Sequence, residues 1–209
     1  MPAPPRHEQD PDIGKQAAGL AHDFNNLLLA MTACLELIRS RSAEARIIDI
    51  AEHGLDTIGR GTGLVDRILA LGGIMQRDER PVDPMLRPEA AARQRTILII
   101  DDDLDVRLVL VELLRALGYR LIEAADGAEA LAGLEQQPDL AIVDCELAGE
   151  SGLDVAGWLL DRRPELSIVF ATGYSEVRSL DPRLRAAPFL RKPFRMAELA
   201  RTVTSALPA

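Results

Sequence analysis

The spacing of apolar residues changes character along the chain. Between residues 14 and 39, Ala17, Ala21, Phe24, Leu28, Met31, Leu35 and Ile38 recur at alternating steps of four and three, the period of a helix with one packed face. After the polar break RSRSAEAR, the residues Ile48, Ala51, Leu55, Ile58, Thr62, Val65 and Leu69 repeat at steps of three and four. A break this short folds the second helix back beside the first as an antiparallel hairpin. Gly54, Gly61 and Gly63 each weaken the second helix by about 1 kcal/mol relative to alanine, a cost that packing must offset. A lone hairpin buries little apolar surface. Two copies are therefore expected to pair into a four-helix bundle, making the protein a homodimer through the hairpin.

Residues 76–95, QRDERPVDPMLRPEAAARQR, carry three prolines and no periodicity, which predicts a semi-rigid connector. From Thr96 the pattern becomes short apolar runs, TILII, RLIEA, DLAIVD, SIVFAT and FLR, with helical stretches near 104–117, 127–136, 152–162 and 196–206 between or after them. Strands alternating with helices predict a doubly wound, five-stranded parallel α/β sheet. The fold class is thus α plus α/β, a helical hairpin followed by an α/β domain. The boundaries are a loose tail over 1–12, the hairpin over 13–77, a linker over 78–94 and the α/β domain over 95–209.

Composition narrows the function classes. At 47% apolar and 27% charged, the 209 residues have ordinary globular composition. The longest apolar stretch, GLVDRILALGGIM, is interrupted by charge and falls short of the roughly 20 residues that span a bilayer. The opening MPAPPRHEQDPD lacks the apolar core of a secretory signal, so a cytoplasmic protein without membrane association is expected. A formal charge of −9 with no Lys/Arg patch argues against nucleic acid as a partner. Cys34 and Cys145 fall in different domains without metal-ligand spacing and are expected to be buried thiols. Trp158 is expected to pack beneath the second domain.

In a parallel sheet, ligands gather at the carboxyl ends of the strands. There the sequence places Asp101, Asp102 and Asp103 after the first strand, Asp144 after the third, Thr172 after the fourth and Lys192 after the fifth. Carboxylates crowded this closely repel one another unless a cation lies among them, and hard oxygen ligands suit Mg²⁺. A carboxylate beside a divalent cation, with a hydroxyl and an ammonium nearby, has what in-line phosphoryl transfer requires, and Asp144 is the expected acceptor.

The runs ILIIDDD, DLAIVDCELAGESGLDV, IVFATGY and FLRKPF resemble a response-regulator receiver domain over residues 96 to about 207. The resemblance implies Asp101 and Asp102 as acidic Mg²⁺ ligands, Asp144 as phosphoacceptor and metal ligand, and the backbone carbonyl of Glu146 in the metal shell. It further implies that Thr172 and Lys192 contact the phosphoryl group and that the Lys192–Pro193 bond is cis. Two positions depart from the family's usual pattern: Ala148 stands where proline is usual, and Phe189 where tyrosine is frequent. Pro182 interrupts residues 175–188, so the fourth helix of this domain is expected to be short or irregular.

His22, Asp23 and Asn26 form a polar cluster, LAHDFNN, within the first apolar helix. His22 neighbours the core position Ala21 and shares a face with Asn26 one turn on, so the cluster is expected to flank the seam and point outward. A neutral imidazole is a good nucleophile, and an adjacent carboxylate such as Asp23 can orient it or take its proton. The segment GLAHDFNNLL resembles the phosphoacceptor box of the dimerisation and phosphotransfer hairpin of sensor histidine kinases. That resemblance implies His22 as the phosphorylated residue, Asp23 as the neighbouring acid and Asn26 as the residue that positions water for dephosphorylating a receiver. No asparagine box or glycine-rich nucleotide loop follows the hairpin.

The expected function is a two-component phosphorelay, with phosphoryl groups passing between His22 and Asp144 or a partner's aspartate, and histidine kinases or response regulators as partners. Two alternatives remain open at this point. One is a phosphatase or phosphate sink acting through Asp23 and Asn26, and the other is a non-catalytic dimerising adaptor that regulates a full kinase. Under all three, the purified chain incubated with radiolabelled ATP and Mg²⁺ should yield no phosphoprotein; robust labelling on a gel would refute the expectation.

Overall fold

The computed structural model of the protein describes residues 11–71, 95–173 and 181–207, with side chains of the first segment described from Gly19 to Gly63. The predicted linker over 78–94 lies outside the described residues. Helix α1 spans Pro11–Arg41 and α2 spans Ala45–Leu71, joined by a short turn. The first helix thus begins inside the stretch expected to be loose tail, and proline suits a helix start because it needs no hydrogen-bond partner there.

The α/β domain follows as β1 (Thr96–Ile100), α3 (Leu104–Ala116), β2 (Arg120–Ala124), α4 (Gly127–Gly133), β3 (Leu140–Asp144), a tight pair β4 (Glu146–Leu147) and β5 (Glu150–Ser151), α5 (Gly152–Arg162), β6 (Ser167–Thr172), β7 (Phe189–Arg191) and α6 (Met196–Ala206). The five main strands are parallel in the order β2-β1-β3-β6-β7. Alternation along each buried strand feeds two cores. Ile97, Ile99, Leu140, Ile142, Val169 and Ala171 face α3 and α6. Leu98, Ile100, Ala141, Val143, Ile168 and Phe170 face α5. Of the segment expected to carry a short fourth helix, the described part holds a single 3₁₀ turn, Pro182–Leu184.

The hairpin does not stand apart from this domain. Leu29 and Ala33 of α1 are fully buried in the same core as Val106, Leu110 and Leu199. At about 1.5–3 kcal/mol for a buried leucine, Leu29 alone contributes appreciably to docking. Arg41 reaches Glu112 of α3 at 3.1 Å, and Arg195 lies 3.6 Å from Asp56 of α2. These surface pairs add less than about 1 kcal/mol each.

Docking splits the expected seam. Ala21 and Leu28 are buried, whereas Phe24, Met31 and Ile38 are exposed. A second stripe, His22, Asn26, Leu29, Ala33 and Glu36, faces the receiver-like sheet domain at steps of four and three. Two further expectations are corrected. Cys34 is exposed, because it falls on the outer side of α1, and Trp158 is 43% exposed on α5 instead of lying beneath the domain.

Gly152 opens α5 against the turn after β3, where its N–H bonds the carbonyl of Cys145 at 3.1 Å. A Cβ at this position would overlap the carbonyl oxygen of Asp144. Gly152→Ala should therefore cost about 3 kcal/mol or more, seen as a fall in Tm of about 6 °C or more in a calorimetric scan.

Candidate functional site

The strands of the sheet end together, and their last residues converge. Asp101 follows β1, Asp144 closes β3, Thr172 closes β6 and Lys192 follows β7. One carboxylate oxygen from each of Asp101, Asp102 and Asp144 lies within 4.8 Å of the others. Asp101, Asp144 and Lys192 are each about 1% exposed, while Asp102 is exposed. Three acidic side chains with hard oxygen donors fit a divalent cation such as Mg²⁺, with Asp102 on the solvent side.

Lys192 holds the acids together. Its Nζ donates to Asp101 Oδ2 at 2.8 Å, to Asp144 Oδ2 at 2.7 Å and to Asn26 Oδ1 at 3.2 Å, so each of its three N–H groups has an acceptor. Burial opposes the ammonium charge, but the carboxylates of Asp144 and Asp101 outweigh it and hold the pKa above the ordinary lysine value. Burial pushes the Asp101 carboxyl up to about 6 against the pull of Lys192, and the charge of Asp144 adds to the rise. Burial and then the charge of Asp144 push the Cys145 thiol up to about 12, which makes it inert; the Thr172 side chain hydrogen-bonds it. Backbone bonds lock the frame: Lys192 N–H to Thr172 O at 2.7 Å, and Glu146 N–H to Asp144 Oδ1 at 3.2 Å. The Lys192–Pro193 bond is cis.

The polar cluster of α1 closes over this site instead of pointing outward. Asn26 Nδ2 donates to Asp103 Oδ2 at 3.2 Å and to His22 Nε2 at 3.1 Å. With Nε2 as acceptor, the neutral ring carries its proton on Nδ1, which faces Glu146 Oε2 at 3.2 Å without hydrogen-bond alignment. Asp23, the acid expected to serve His22, is exposed; the carboxylate beside the imidazole is Glu146, contributed by the other domain. Phe189, at the start of β7, is 43% exposed and stacked on Phe170 with centroids 5.3 Å apart.

Four contacts escaped the sequence reading. Asn25 is buried, and its Nδ2 donates to Gly173 O at 3.1 Å. Asp103 both caps α3 and receives Asn26. The Glu146 side chain faces His22, and Glu36 reaches Met196. The doubled asparagine and the second four-three stripe ending at Glu36 were the available signals.

A carboxylate must lose its proton to hold a cation. With the Asp101 carboxyl near 6, Mg²⁺ affinity should fall about tenfold for each pH unit below about 6 and level off above it, as calorimetric titration would record. The folded chain also binds this proton more tightly than the unfolded one. Without a cation, the contribution of Asp101 to stability should therefore increase as the pH falls from above about 6 towards 3.8.

Residues 97–204 match the family model for the response regulator receiver domain. The transcriptional regulatory protein PdtaR of Mycobacterium tuberculosis is 38% identical over 114 residues, covering 52% of this chain and 55% of that protein. The response regulator receiver protein CpdR of Brucella abortus is 32% identical over 117 residues, covering 54% of this chain and 97% of that protein. Among solved structures, NtrX of Brucella abortus aligns with a TM-score of 0.51 at 28% identity, over 55% of this chain and 27% of that one. The chain spans about half the length of PdtaR. With the family model covering more than half of the residues, and a parallel sheet whose strand ends gather three aspartates and a lysine, the chain belongs to the response regulator receiver family.

Proposed function

We propose that the protein works in two-component signalling as a phosphorelay in which phosphoryl groups pass between His22 and Asp144. The observation that carries this reading is Asn26, which bonds His22 Nε2 on one side and Lys192 Nζ on the other, so a single side chain connects imidazole and acidic site. An Asp144 oxygen attacks the phosphorus of phospho-His22, the P–N bond breaks, and its electron pair returns to the imidazole nitrogen; the reverse step restores phosphohistidine. Lys192 and Thr172 contact the phosphoryl oxygens. Mg²⁺ held by Asp101, Asp102, Asp144 and the Glu146 carbonyl supplies charge neutralisation when bound. In this reading residues 13–77 are a histidine phosphotransfer and dimerisation hairpin, 78–94 a linker and 95–209 the receiver, in a cytoplasmic protein that exchanges phosphate with histidine kinases or other response regulators.

Homodimer formation is supported by the side of α1 turned away from the receiver. Leu20, Phe24, Leu27 and Met31 are all exposed there at steps of four, three and four, an apolar stripe that a second hairpin would cover.

The placement of Asn26 also favours a second reading, a phosphatase or sink in which its amide positions water against phospho-Asp144. Both are tested by loading the full chain with acetyl phosphate and Mg²⁺ and following intact mass, with acid and base lability separating the two phosphates. Phosphate appearing first on Asp144 and then as acid-labile phosphate absent from His22→Ala is expected for a relay. Asn26→Ala should preserve that transfer and slow release of free phosphate by about tenfold or more. Absence of phosphohistidine in every variant would exclude the relay, and unchanged hydrolysis in Asn26→Ala would exclude the phosphatase.

A further inference from the structure

The last receiver helix, α6, starts without a cap of its own. Arg195 occupies the N-cap position with no side-chain hydrogen bond to the helix. The first N–H groups of a helix have no partner within it. Here Glu36 of α1 fills the gap: its Oε2 accepts from Met196 N at 2.7 Å, and the residue is only 3% exposed. Arg39 lies 4.0 Å away. A carboxylate buried this deeply is costly unless hydrogen-bonded, and the positive end of a helix is where it is best accommodated.

Glu36 lies ten residues beyond Asn26 on the same helix, about 15 Å along its axis. Asn26 engages the strand-end site, Glu36 engages the start of α6, and Leu29 and Ala33 fill the apolar surface between. Two polar pins this far apart define one register, since sliding α1 by a turn of about 5.4 Å would break both. Together they hold the hairpin against the strand-end site, where the Asp144 side chain is about 1% exposed.

We propose that Glu36 is the latch that keeps the hairpin docked on the receiver and closed over the phosphorylation site. The inference does not depend on phosphate reaching His22, because docking exists in the unphosphorylated chain.

The test uses the full chain, wild type, Glu36→Ala and Glu36→Gln, with far-UV circular dichroism checking the fold. Two quantities are read: hydrogen exchange of the Met196 amide without phosphate, and the rate at which acetyl phosphate with Mg²⁺ loads Asp144. Glu36→Ala should speed Met196 exchange by about tenfold and loading by about threefold or more. Glu36→Gln, which keeps an acceptor of the same shape, should fall between, and it serves as the reference variant if Glu36→Ala does not fold. Unchanged Met196 exchange would overturn the proposal, and so would faster exchange without faster loading, since that would confine Glu36 to capping the helix.

Discussion

A buried ammonium surrounded by oxygen organises this molecule. Lys192, about 1% exposed, has acceptors from Asp101, Asp144 and Asn26. Taking such a charge out of water costs several kcal/mol, recovered only where the geometry satisfies every proton. Two of the acceptors are delivered by parallel strands that end side by side. The third comes from a helix 166 residues earlier in the chain. The hairpin is therefore a participant in the electrostatics of the receiver site, and the position of α1 and the charge balance of the site are coupled.

That coupling explains how one helix serves several surfaces. One side of α1 meets α2 through Leu35, whose side chain lies where a Cβ on Gly54 would stand. A second side, from His22 to Glu36, lies on the receiver, and a third, from Leu20 to Met31, faces solvent with apolar residues. A helix so used cannot show a single clean amphipathic stripe, because each of these sides demands its own set of positions within each pair of turns.

The same chemistry constrains motion. Asn26 stands between His22 and Lys192, so in the proposed relay this amide would have to move aside while the docking register is kept. A rigid contact remote from the reacting atoms, such as that of Glu36 with Met196, can hold register while a side chain near them rearranges.

The sheet and its acidic site were legible in the sequence because both rest on local patterns. Apolar runs such as TILII and AIVD report strands buried on both faces, and α3, α5 and α6 lie within a residue of their expected spans. A parallel sheet then forces Asp101, Asp144, Thr172 and Lys192 to one edge whatever the rest of the chain does. The hairpin, too, followed from its period. Tertiary structure decided which way the hairpin faces: a helix with several apolar and polar stripes does not state which stripe meets which partner, and that choice depends on surfaces far away in sequence. Hence His22 lies against Glu146 instead of relying on Asp23, Phe24 and Met31 are exposed, and Glu36 completes a helix that begins 160 residues later. Local periodicity encodes the elements; complementarity between distant surfaces, here an uncapped helix and a buried lysine, encodes their docking.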